Sequence, residues 1–296
     1  MAVKRCSSLS LSLGEPLVAT ASAATAWLLV EQSGPWGARA LSESALDREV
    51  GAELERRAKR LGIKILLVKQ QGKTGSARRF AAWSEPGSTW LEELELDGPD
   101  GLLDLDLEAL ARGERLGGRR IATPVYLACT NGKRDACCAS RGRAVTAALA
   151  ALRPEATFEC SHLGGHRFAA NVVCLPHGLW YGRVEPEDAE QIVAAAGRGE
   201  LVLHLLRGRS SLPSEAQAAD RFLREREGLR GIEELAVETV ESAGGGVTAV
   251  SLRAEGRMWR VLVRADEADE PRPVSCGEEK LERPTVWTLV GIERAG

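Results

Sequence analysis

The sequence predicts an α/β fold made of two successive strand–helix–strand units and a smaller α+β segment. Three observations carry this. Residues 25–32 ("TAWLLVEQ") and 63–70 ("IKILLVKQ") are apolar runs of strand length, and the stretch between them spaces leucine and alanine as a helix and stops at Gly62, a good C-cap residue. The same order returns in residues 121–129 ("IATPVYLAC"), an alanine-rich helix ("ASRGRAVTAALAAL") and a short strand ("ATFECS"). Beyond residue 199 a helix ("PSEAQAADRFLRERE") precedes two β-rich runs joined at "EG". A β-α-β order implies a parallel strand pair with a crossover helix.

The first unit is assigned to residues 1–118. It opens on Lys4, Arg5 and "SSLSLSLGEPLVATASA", which has the charge, apolar stretch and small-residue end of a secretory leader. Half of the apolar stretch is serine and Glu15-Pro16 interrupts it, so it reads as the start of the first unit, and the protein as cytoplasmic. "GPWG" forms a turn, and "ALSESALDREVGAELERRAKRLG" the helix. Residues 94–118 turn acidic, then rich in glycine and arginine, and mark the boundary. The second unit covers residues 119–198. Its helix closes at Arg153-Pro154, "FAANVVCLP" and "HGLWYGRV" hold further strands, and "EPEDAEQIVAAAG" is a helix with Pro186 at its first position and acids in its first turn. The third segment, residues 199–296, has Ser211 as helix N-cap and ends on a strand, "TVWTLVGIE".

Composition narrows the function. Net charge is -3 and the basic stretches are short, so nucleic acid is not an expected partner. No apolar run approaches the ~20 residues that span a bilayer, so no membrane partner is expected either. Seven cysteines are present, and Cys129, Cys137, Cys138 and Cys160 lie close together in the chain. In a reducing compartment, clustered thiols point to metal or redox chemistry. Cys6, Cys174 and Cys276 stand alone in sequence and read as small core or surface residues.

Two pairs stand out. Cys129 and Cys138 follow one predicted strand; His162 and His166, two of only four histidines, flank Gly164-Gly165 after the next. Loops at one edge of such a sheet converge, so both pairs can share a site. Two thiolates and two imidazoles suit zinc or an iron–sulfur centre, not calcium or magnesium. Zinc sites usually space paired cysteines two to four residues apart, whereas the long loop here surrounds a larger group, and a 2Fe–2S cluster takes four such ligands. Rieske segments each supply one cysteine and one histidine, while here the types are segregated. His177 and His204 carry no assigned role.

"CTNGKRDACCA" followed by "SHLGGHRFAANVVCLPHGLWYGRV" resembles the sucrase/ferredoxin-like family of thioredoxin-like ferredoxins, and "WLLVEQSGPWG" and "RGRSSLPSEAQAAD" extend the resemblance over most of the chain. It implies a thioredoxin-like ferredoxin domain at 119–198, preceded by a degenerate thioredoxin-like unit without a cysteine pair. It further implies a 2Fe–2S cluster held by Cys129, Cys138, His162 and His166, electron transfer with a redox donor or acceptor protein, and an electron carrier more than a catalyst. No carboxylate pair supports a glycosidase. Histidine ligation implies a potential above the about -400 mV of plant-type ferredoxins, and one that depends on pH. Three alternatives stay open: zinc in a binding module, Cys137 in place of Cys138, and a thiol–disulfide protein using the Cys137-Cys138 pair. Cys160 reads as a core thiol or a spare ligand. Lys133, Arg134 and Arg167 are candidates to offset a cluster's negative charge.

Overall fold

A computed structural model of the chain describes residues 5–72, 77–96, 98, 100–273, 275–276 and 281–295. Residues 1–4, including Lys4 of the leader-like start, lie outside the described residues. In chain order the elements are α1 (Cys6–Ser12), β1 (Ala26–Glu31), α2 (Arg48–Leu61), β2 (Lys64–Lys69), β3 (Arg79–Trp83), β4 (Trp90–Leu94), α3 (Leu107–Ala111), β5 (Arg119–Arg120), β6 (Val125–Cys129), α4 (Ala136–Leu152), β7 (Thr157–Cys160), β8 (Val172–Leu175), β9 (Leu179–Tyr181) and α5 (Ala189–Gly197). The rest of the chain forms β10 (Leu206–Arg209), α6 (Ser214–Glu227), β11 (Leu235–Gly244), β12 (Val247–Ala254), β13 (Arg257–Glu267), β14 (Arg272–Pro273), β15 (Leu281–Glu282) and β16 (Thr285–Ala295).

The fold is mixed α/β, and its first two units share one topology. In the first, β1 lies parallel to β2 and antiparallel to β3, and β4 follows beyond β3. In the second, β6 lies parallel to β7 and antiparallel to β8, with β9 beyond. A β-α-β crossover followed by a hairpin and a helix, with the first strand central, is the thioredoxin-like arrangement. The units join through their equivalent second strands: β2 and β7 pair antiparallel, Val68 opposite Cys160 and Lys69 opposite Glu159. One ten-stranded sheet results, edged by β10 and β5.

Local chemistry sets the boundaries. The Asp47 carboxylate accepts from the Glu49 and Val50 N–H groups, so α2 begins at Arg48, later than the leucine-and-alanine spacing predicts. Gly62 ends it in the left-handed region, as the sequence predicts. Asp135 accepts from Cys137 N–H and starts α4 at Ala136, so Cys137 and Cys138 sit in the first turn of a helix and not in a loop. Every residue of β1 is buried because the sheet is covered on both faces. Trp27 and Leu29 pack with Phe80, Leu127, Phe158 and Trp180 in a core shared by both units, while Leu28 and Val30 pack with Leu54 of α2. β3, β4 and β11 are strands that periodicity did not predict.

The third segment folds α6 against the antiparallel sheet β11-β12-β13-β16 around Leu223, Val250, Leu252, Trp259 and Val261. Its β12–β13 hairpin turns at Glu255-Gly256 as predicted. Pro213, not Ser211, occupies the N-cap of α6, and the Ser211 hydroxyl is buried without a partner. No helix among the described residues is long and apolar enough to cross a membrane.

Candidate metal centre

Two connections at the same end of the second unit build the site. Cys129 is the last residue of β6, and the chain passes directly into the turn that Asp135 closes at the head of α4. α4 packs so close to β6 that a Cβ on Gly142 would collide with the Cys129 carbonyl. The second connection leaves β7 and carries His162, then Gly164 and Gly165 with φ of 111° and 68°, then a short 3-10 turn from His166 to Phe168. Only glycine adopts both of these conformations without strain, and they fold the loop back so that both imidazoles face one way.

The structure places the four predicted residues beside one another. Cys138 Sγ lies 3.9 Å from His166 Nδ1. The His166 and His162 rings stack with centroids 4.4 Å apart. Cys129 lies close enough to Cys138, His162 and the Leu163 backbone for all three to lower its thiol pKa. Cys129, Cys138 and His166 are buried, and His162 is partly exposed with a buried, unpartnered Nδ1. An oxygen of Asp135 also lies within 4.8 Å of the Cys138 and His166 ligand atoms.

The electrostatics favour the ligating protonation state at Cys129 and His166. Pairing with Cys138 holds the Cys129 thiol well below its ordinary value despite burial, helped by His162 and the Leu163 backbone. Its pairing with Cys129 and burial push Cys138 up, so Cys129 loses its proton before Cys138 does. Burial, with the neighbouring His162, lowers His166 to about 4. Its ring is therefore neutral at physiological pH, which is the form that binds metal.

Cationic residues that the sequence reading missed surround this site. Arg207 on β10 is buried and donates from Nη1 to Asn171 Oδ1 at 2.8 Å and to the Gly164 carbonyl at 3.3 Å, and from Nε to Thr20 Oγ1 at 3.1 Å. Its Nη2 donates to the Thr20 carbonyl. Among the described residues no carboxylate pairs with it. Burial and the charge of Arg167 lower its pKa to about 9, against the opposing pull of Cys138, Glu15 and Cys129. Lys64 donates to the Leu163 carbonyl at 3.0 Å, and burial lowers it to about 8. Arg167, by contrast, is bonded to Glu15 at 2.7 Å, and Lys133 and Arg134 are exposed. The signal for Arg207 was an arginine inside the strand-like run "LHLLRGR".

The remaining cysteines divide. Cys160 and Cys174 are buried in the apolar cores, and burial raises both thiols. Cys137 and Cys138 point apart: Cys138 faces His166, while Cys137 faces Cys6 and Cys276. Cys6 and Cys276 are therefore not the isolated residues their sequence positions suggested.

Comparison with known proteins places this geometry in context. A family model described as sucrase/ferredoxin-like matches residues 17–208. A curated protein from Meyerozyma guilliermondii, altered inheritance of mitochondria protein 32, is 34% identical over 83 residues, which cover 25% of this chain and 29% of that protein. Among solved structures, a thioredoxin-like [2Fe-2S] ferredoxin from Aquifex aeolicus is 22% identical, with a TM-score of 0.28, over 31% of this chain and 97% of that chain.

Proposed function

Because this chain belongs to the sucrase/ferredoxin-like family, we propose that it is an electron-transfer protein whose 2Fe–2S cluster is held by Cys129, Cys138, His162 and His166. The observation that carries the reading is the convergence of two thiols and two imidazoles beside a buried guanidinium that, among the described residues, forms no ion pair with a carboxylate. A buried cation without a counter-charge is costly. An anionic group held by the adjacent thiolates would supply that counter-charge.

When bound, such a cluster supplies a one-electron couple. The chain's own residues do the rest. The Leu163 backbone helps lower the Cys129 thiol and Arg207 fixes the loop through Gly164 and Asn171; local dipoles and fixed charge of this kind tune a ligated sulfur. The apolar core around Leu127, Phe158, Leu163 and Val173 keeps water from the cysteine side. His162, Gly164 and Gly165 are partly exposed and form the edge on which a redox partner protein docks.

Anaerobic purification with iron and acid-labile sulfide assays tests the reading. The expected outcome is a coloured protein with two irons and two sulfides per chain. Cys129→Ser and Cys138→Ser each abolish that absorbance, while Cys137→Ser retains it. Protein free of iron and sulfide after anaerobic purification, with or without zinc in their place, overturns the reading.

A further inference from the structure

We propose that Cys6, Cys137, Cys276 and Asp135 form a second metal centre that takes one zinc-class divalent ion, distinct from the cysteine–histidine site. Three segments far apart in sequence converge there: the first residue of α1, the first turn of α4, and the chain after β14. The sulfurs make a near-equilateral triangle, Cys6–Cys137 3.6 Å, Cys137–Cys276 3.3 Å and Cys276–Cys6 3.5 Å. The Asp135 carboxylate lies 3.7 and 3.9 Å from Cys6 Sγ, and one ligand atom from each of the four residues falls within a 4.8 Å cluster.

This geometry suits a metal better than its rivals. A tetrahedral zinc with ~2.3 Å bonds to sulfur sets its thiolates about 3.8 Å apart, close to the triangle observed. A disulfide requires sulfurs about 2.05 Å apart and engages two of them, leaving a third thiol and a carboxylate unused. An apolar core would fill the space with methyl groups; here Ala169 is the one other buried apolar residue of the cluster.

The carboxylate is a second, independent pointer to a cation. Asp135 is 2% exposed, and among the described residues no lysine or arginine forms an ion pair with it. It is oriented instead by Cys137 N–H at 2.8 Å, Cys276 N–H at 2.7 Å and the Ser275 hydroxyl at 3.1 Å. The sulfurs carry donors of the kind that support ligating thiolates: the Ser7 hydroxyl donates to Cys137 at 3.2 Å, and Cys6 N–H to Cys276 at 3.4 Å. Cys276 is partly exposed and gives the ion an entry path. Binding forms three metal–sulfur bonds and one metal–oxygen bond, releases the protons the three thiols carry to solvent, and moves no electron. The ion would tie α1 and the C-terminal segment to the turn that also presents Cys138.

Metal analysis of the full chain expressed with zinc tests this, alongside iron and sulfide so that the two centres are read separately. We expect one zinc per chain in the unmodified protein. Cys276→Ser and Cys6→Ser lose that zinc and keep their iron and sulfide, whereas His162→Ala loses iron and keeps zinc. Cobalt(II) added to demetallated protein develops thiolate-to-metal charge-transfer bands at one equivalent, and these are absent from Cys6→Ser/Cys276→Ser. Zinc-free unmodified protein overturns the proposal without recourse to any variant. So does equal zinc and cobalt binding by the double variant, or a disulfide between any two of the three cysteines in anaerobically alkylated protein.

Discussion

The unit from β1 to α3 and the unit from β6 to α5 use the same strand order and senses, and each starts its crossover helix with an aspartate, Asp47 in one and Asp135 in the other. They differ in the two connections at the ends of their parallel strands. The first unit links β1 to α2 through residues 32–47 and contains no histidine and no cysteine. The second links β6 to α4 through residues 130–135, short enough to bring Cys129 and Cys138 together, and then sets His162 and His166 beside them. The fold supplies the convergence of loop ends, and the residues placed on those loops supply the chemistry. The first unit acts as scaffold: its β2 pairs with β7, and its Lys64 reaches across to hold Leu163.

Arginines in the two regions make the sharpest contrast, and the largest expected effect. Arg57 of α2 donates to the Leu103 and Leu105 carbonyls at 2.8 and 2.7 Å and has Glu108 as counter-charge at 3.5 Å. Arg207 likewise binds backbone carbonyls but, among the described residues, forms no ion pair with a carboxylate, and under the proposed function the cluster supplies its counter-charge. Arg207→Met strands Asn171 Oδ1 and two carbonyls and costs about 3 kcal/mol in urea unfolding. It also lowers iron content and shifts the midpoint potential downward, because removing a positive charge disfavours the reduced state. Arg207→Lys restores part of the potential. Arg57→Met costs about 2 kcal/mol and leaves iron per folded chain and potential unchanged. A shifted potential in Arg57→Met, or none in Arg207→Met, breaks the division into scaffold and site.

A matched pair of core truncations comes next. Leu54 of α2 and Leu149 of α4 are both fully buried, and replacing either with alanine costs about 3 kcal/mol. Leu149→Ala loosens the helix that carries Cys138, and its iron is lost to a chelator faster than from the unmodified protein. Leu54→Ala releases iron at the unmodified rate under conditions where both remain folded by circular dichroism. Equal release rates would mean that the two units respond as one body.

Much of this division is legible in the sequence, and the parts that are not share a cause. β1, β2, α4 and the Cys129/Cys138 and His162/His166 pairs announce themselves through local patterns: apolar runs, helical spacing, a glycine pair between histidines. β3 and β4 do not, because "RFAAW" and "WLEEL" are short and broken by charged residues. Glu92 of β4 is buried because it accepts from Arg115 and the Leu116 N–H, partners more than twenty residues away. The choice between Cys137 and Cys138 needs the start of α4, since successive helical residues point about 100° apart. The Cys6–Cys137–Cys276 triangle is invisible to any local pattern, and the arginine inside "LHLLRGR" does not show what Arg207 binds, because in both cases the partners are brought near only by the finished fold.

The smallest effect is also the finest probe of how the units differ. Asp47 and Asp135 both cap a crossover helix, and asparagine caps a helix about as well as aspartate. Asp47 is exposed and, among the described residues, its side chain bonds the Glu49 and Val50 N–H groups, so the stability change of Asp47→Asn stays within about 0.5 kcal/mol. In Asp135→Asn the cap survives, but a buried negative charge is lost and one carboxylate oxygen becomes an amide that cannot accept from Cys276 N–H and Ser275. Stability in the absence of metal changes by about 1 kcal/mol, while zinc affinity, followed by competition with a chromophoric chelator, falls at least tenfold. The gap between the two variants isolates what Asp135 does beyond starting a helix. If both behave alike in stability and in zinc binding, Asp135 is a cap and nothing more, and the two units differ only at the cysteine–histidine site.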